Sequence, residues 1–250
     1  MNMRIIIPAL ILAGCDLTAP EADALDADPT PVAEAVRAVQ PGPVLDLVHR
    51  TDSVVGTGED CPQIELLQTE TGDRHERWTG GCTLDDGTEV LGSLERFQSA
   101  EGSWITGADF RLVQADETVF GFDGAIEVTE VDALWLVDVA ASVCGIEGWG
   151  CSDGLLGMDI TTTVFPASTF PEDYDITVSG AIATDRSTMT VDGAWSVNQA
   201  SCAVEPTEGT LTVRQGELHA LTLDGAQACD ACGGWEVQGQ PTPGLCGLNQ

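Results

Sequence analysis

The chain reads as an all-β protein: an antiparallel meander forming a curled sheet, barrel or sandwich, stapled by disulfides. Three observations predict this. Apolar residues recur at every second position through most of the chain after residue 44. Turn residues break that alternation at short intervals. An even number of cysteines remains once the one nearest the amino terminus is set aside.

The alternation is clearest in three segments. Phe120, Phe122, Gly124, Ile126 and Val128 share one face, with Asp123, Glu127 and Thr129 on the other. Tyr174, Ile176, Val178, Gly180 and Ile182 alternate with Asp175, Thr177 and Ser179, and Met189, Val191, Gly193, Trp195 and Val197 with Thr190, Asp192 and Ser196. A period of two is that of a strand with one buried and one wet face. Further strands are predicted at Gln63–Thr69, Glu89–Phe97, Trp104–Val113, Ala133–Ala140, Met158–Phe165, Gly209–Arg214 and Glu217–Leu223. Asp85-Asp86-Gly87, Ala100-Glu101-Gly102 and Arg214-Gln215-Gly216 supply turns between them. No amphipathic helix stands out in this region, so residues 44–250 are expected to form one all-β domain.

A short pattern, apolar-x-Gly-x-apolar, recurs at Val90-Gly92-Leu94, Phe122-Gly124-Ile126, Val178-Gly180-Ile182 and Val191-Gly193-Trp195. Glycine inside a strand marks a bend or a close approach, and repeated on the buried face it predicts strong curl. The irregular spacing excludes a solenoid or propeller.

Residues 15–43 read as a spacer. Pro20, Pro29, Pro31, Pro41 and Pro43 break long elements, and Asp16, Glu21, Asp23, Asp26, Asp28 and Glu34 add like charge. Val32, Val36 and Val39 fit a short helix that Pro41 would end. Ahead of the spacer, residues 1–14 carry Arg4, an apolar run from Ile5 to Ile11, and then Leu12-Ala13-Gly14-Cys15. The run is too short to span a bilayer and reads as a cleaved signal. Small residues before a cysteine at this position resemble the lipobox of bacterial lipoproteins. The resemblance implies cleavage before Cys15, thioether lipidation of its sulfur and acylation of the new amino terminus. Several acyl chains on one residue suffice for stable anchoring. The expected address is the bacterial cell envelope, on the periplasmic side or the cell surface.

Charge limits the partners. Against 41 Asp and Glu stand 9 Arg and no Lys, a formal charge of −32. Nucleic acid and anionic-lipid surfaces need clustered cations and are excluded as partners. With 43% apolar residues and a mean hydropathy of +0.05, the chain is not a disordered acidic tail.

In an oxidising compartment the remaining cysteines predict four bridges. Cys61–Cys82 and Cys144–Cys151 flank candidate hairpins; Cys202, Cys229, Cys232 and Cys246 then pair among themselves in one of three ways, of which Cys202–Cys229 with Cys232–Cys246 is the expected one. Cys229-Asp230-Ala231-Cys232 has C-x-x-C spacing, but Gly233-Gly234 is a poor helix start and no second pair completes a zinc site, so structural bridges are expected.

Catalytic motifs are absent. There is no G-x-S-x-G, and His49, His75 and His219 stand at no metal-binding spacing. Acidic pairs such as Asp85/Asp86 and Asp116/Glu117 offer oxygens to Ca²⁺, though no loop matches a calcium motif; no cofactor is expected. Two carboxylates could serve a glycoside hydrolase, which is the alternative reading. Trp149, inside the Gly-rich loop Cys144–Cys151, either stands out to contact a ligand or folds back to cap the sheet. Trp78, Trp104, Trp135, Trp195 and Trp235 fall in strand-like runs, where core packing is expected. The function these features support is binding or scaffolding in the envelope, with a protein or a glycan as partner.

Overall fold

The computed structural model describes residues 30–53, 61–67, 73–100, 102–131, 134–164, 173–198, 200–202, 206–225 and 232–246. Cys15 and the signal-like segment lie outside them. Two helices, α1 (Thr30–Ala38) and α2 (Pro41–Ser53), precede fourteen strands. These are β1 (Gln63–Leu67), β2 (Arg74–Thr79), β3 (Cys82–Thr83), β4 (Glu89–Gln98), β5 (Gly102–Gln114), β6 (Glu117–Val131) and β7 (Leu134–Cys144). They continue as β8 (Leu156–Val164), β9 (Asp173–Ala183), β10 (Thr188–Asn198), β11 (Glu208–Gln215), β12 (Glu217–Leu223), β13 (Cys232–Val237) and β14 (Gln240–Cys246).

All strands belong to one antiparallel sheet in which each pairs with its neighbour in the chain, except that β3 lies beside β4 off the main path. The sheet rolls up without closing, and β1 and β14 are its two edges. The predicted meander and curl are both present. The glycines explain part of the curl. Gly124 and Gly180 have φ of +138° and +141°. A Cβ on them would lie 2.3 Å from Ala140 O and 2.1 Å from Asp159 O, so the neighbouring strands pack closer than any side chain permits.

The concave face carries the core, including Phe110, Phe122, Ile126, Val139, Ile160 and Val191. The helices fill it. Val32, Ala35, Val36 and Val39 repeat at helical spacing, as do Val44, Leu47, Val48 and Thr51, and all are buried. α1 rests on β11 and α2 on β8. The buried Thr51 hydroxyl is satisfied within its own helix, donating to Leu47 O and Val48 O at 2.9 Å.

Part of the segment read as a spacer, residues 30–43, is packed against the sheet. Pro41 does not simply end a helix; Pro41 and Pro43 occupy the first turn of the next one, where a missing N–H costs nothing. The expected absence of an amphipathic helix after residue 44 is corrected by the same helix. β2, β3, β13 and β14 are strands that the alternation did not reveal.

Two predicted bridges are formed, Cys61–Cys82 and Cys144–Cys151. Cys202 and Cys232 are disulfide-bonded as well. Cys229 and the Cys246 side chain lie outside the described residues, although β13 and β14 set the Cys232 and Cys246 backbones directly opposite each other.

Candidate functional site

The convex face is mostly small and polar, with Asp123, Glu127, Asp138, Asp159 and Thr161 pointing outward along β6, β7 and β8. Where β2, β4 and β5 lie side by side, the pattern is broken locally, although Trp78, Leu94 and Ile105 still face the core. Two charged residues turn inward: Glu76 is 2% exposed and Arg96 8%. They face each other directly in register, as do their outward neighbours His75 and Phe97. Trp104 continues the outward row, paired with Phe97. Strand parity forces the arrangement, because Ile105 faces the core and its neighbour Trp104 must then face out. The expected core role of Trp104 is therefore corrected.

The outward residues form an aromatic platform. Phe97 and Trp104 stack with ring centroids 5.7 Å apart and planes 13° from parallel. His75 sets its edge against both, at 5.8 and 5.5 Å. Its Nε2 lies 2.7 Å from Glu95 Oε1, and the other Glu95 oxygen accepts from Arg77 Nη2 at 3.1 Å. The bond to His75, reinforced by the Arg77 charge, holds the Glu95 carboxyl below its ordinary range. An ionised carboxylate fixed beside half-exposed stacked rings accepts hydrogen bonds from a ligand but donates no proton. The arrangement is suited to binding.

On the inner side, Arg74 Nε and Nη2 bond Glu76 Oε1 at 2.6 Å, whereas Glu76 Oε2 is buried without a hydrogen-bond partner among the described residues. Arg96 and Gln98 help to line a recess of about 220 Å³ between β4, β7 and α2, with His49 and Trp135 on its other walls. This is smaller than the roughly 300 Å³ at which small-molecule sites begin.

The bridged loop behaves as a cap. The Trp149 backbone closes a tight turn with Ile146, its indole N–H donates to Gly154 O at 3.1 Å, and its ring packs partly buried against the core. The indole therefore folds back instead of standing out. The same loop meets the helices: Glu147 N–H donates to Asp46 Oδ2 at 2.8 Å. Trp78, Trp195 and Trp235 are core residues as expected, while Trp135 is half-buried beside His49.

His219 is buried on β12, stacked on Trp235 at 5.9 Å, and burial lowers its pKa below 6.5. Among the described residues, no three of His, Cys, Asp and Glu converge as a metal site. No helix there is long and apolar enough to cross a membrane.

No family model, curated protein or solved structure matches this chain.

Phe97, Trp104 and Glu95 are the functional candidates that residue patterning missed. The available signal was the conflict of parity in Arg96-Phe97 and Trp104-Ile105, where one member of each pair must break the apolar-in rule.

Proposed function

We propose that this protein is a lipid-anchored binding module of a bacterial cell envelope, held at the membrane through Cys15, and that its ligand is a glycan stacked on Phe97 and Trp104. The observation that carries the reading is the local break in patterning on β2, β4 and β5, with Glu76 and Arg96 buried and Phe97 and Trp104 turned outward. Turning two aromatics outward while burying two charges costs stability, and such local conflicts collect at functional positions. Stacked rings offer a flat apolar surface to the C–H face of a sugar, and Glu95 and Arg77 offer an acceptor and donors to its hydroxyls. Hydrolysis by two carboxylates is less well supported. That chemistry needs one carboxyl held protonated, a role that does not suit Glu95, whose bond to His75 keeps it below its ordinary range.

The test has two arms. Blocking the lipoprotein signal peptidase should leave a heavier precursor, and an unchanged mass would remove the anchor. Purified envelope glycan should retain the intact protein but not a Phe97→Ala/Trp104→Ala variant with an unchanged melting temperature. Equal retention of both would remove the site.

A further inference from the structure

The two edges of the open sheet are built differently. β14 carries Pro241 and Pro243, which offer no N–H, so this edge is blunted against further pairing. β1 contains no proline. It pairs with β2 on one side and with no described strand on the other. Ile64 is 45% exposed and Leu66 71%, the latter the most exposed large apolar residue among those described. Both lie on the concave side, opposite Trp78 and Glu76 in register.

Charge along the convex side adds a second feature. Glu65, Arg77 and Glu95 stand in one cross-strand row, and their signs alternate from the edge inward. Arg77 lies 3.1 Å from Glu95 and 3.8 Å from Glu65. The Glu65 side chain is 67% exposed on the outer flank of that row. A strand added beyond β1 continues the alternation when it sets a cation opposite Glu65 and apolar residues opposite Ile64 and Leu66.

We infer that β1 is a docking edge for an extended segment of a partner protein with apolar–cation–apolar alternation, bound by strand addition. Main-chain bonds to the open edge supply affinity in this mode, and alternate side chains supply selectivity. A second copy fits poorly. Each chain carries −32, and a two-fold pair centred on Glu65 sets like charges face to face. A cationic partner has the opposite sign to the whole surface, which also speeds encounter.

The probe is a fluorescent peptide, Val-Thr-Val-Lys-Val-Thr-Val, and its twin with Glu in place of Lys, titrated into the full-length protein in detergent and read by anisotropy. The Lys peptide should bind on the order of fivefold tighter than its twin, and Glu65→Lys should reverse that order. Leu66→Ser should weaken both peptides, while Trp104→Ala should change neither and so separates this edge from the glycan site. Equal binding of the twins, binding of neither, or a Lys preference that survives Glu65→Lys would overturn the inference. So would a protein that light scattering shows to be a dimer occupying the edge itself.

Discussion

The Asp46 carboxylate accepts the backbone N–H of Glu147 at 2.8 Å while also pairing with Arg50 at 2.9 Å. One side chain thus ties the helical filling to the bridged loop at one end of the sheet. Removing it in Asp46→Ala should cost about 1 kcal/mol, below the roughly 1.5–3 kcal/mol of a buried bond to a charged group because the site is partly wet. A thermal melt checks this; an unchanged midpoint would show that the latch contributes nothing.

Leu47 offers a sharper test of where the folded unit begins. It is fully buried in α2, and Leu47→Ala should cost about 2–5 kcal/mol by lost transfer energy and cavity formation. Val36→Ala in α1 should also destabilise, by about 1–2 kcal/mol for its smaller side chain. Substitutions in a free spacer would leave denaturant midpoints unchanged.

The Cys61–Cys82 bridge closes the longer of the two defined loops, with a separation of 21 residues against 7 for Cys144–Cys151. On loop entropy, replacing each pair by serine should cost about 3 kcal/mol for the former and about 2 kcal/mol for the latter. Urea denaturation of the two double variants should keep that order. Equal losses would mean that local packing, and not loop length, governs the bridges.

His219 sets a pH dependence whose sign is fixed by its burial. The unfolded chain takes up a proton near pH 6.5, and the folded protein does so only at lower pH. The unfolded state therefore binds more protons in that window, and stability falls as pH drops below 6.5 until it passes the lowered folded value. Between about pH 7 and about pH 5 the parent protein should lose more melting temperature than His219→Leu, since carboxylate effects are common to both. Parallel losses would show that the imidazole is not linked to folding.

Strand parity was the most legible property of this sequence. Phe120–Val128, Ile176–Ile182 and Met189–Trp195 alternate as written, because a half-buried strand leaves no other choice. β2 was hidden because Arg-His-Glu-Arg-Trp carries its charges on both faces, so no period emerges. β13 and β14 were hidden by Gly, Cys and Pro, which serve bridging and edge protection instead of patterning. α2 was obscured by Pro41 and Pro43, which read as breakers until their place in a first turn is known. The aromatic platform needed register as well as parity. His75, Phe97 and Trp104 come from three strands and meet only through pairing that the linear order does not display.

Nearest-neighbour pairing along the sheet also bears on how the molecule assembles. Each hairpin closes a short stretch of chain, so strand pairing can spread outward from any turn at little entropic cost. The seats of α1 on β11 and of α2 on β8 are different, since they join the two helices to strands that come much later in the chain. A ribbon can therefore zip locally while its apolar side is still bare. Rolling of that ribbon around the two helices, which precede every described strand in the chain, is then the expected late step, and until it is complete the concave side is the surface that a folding chaperone would need to shield.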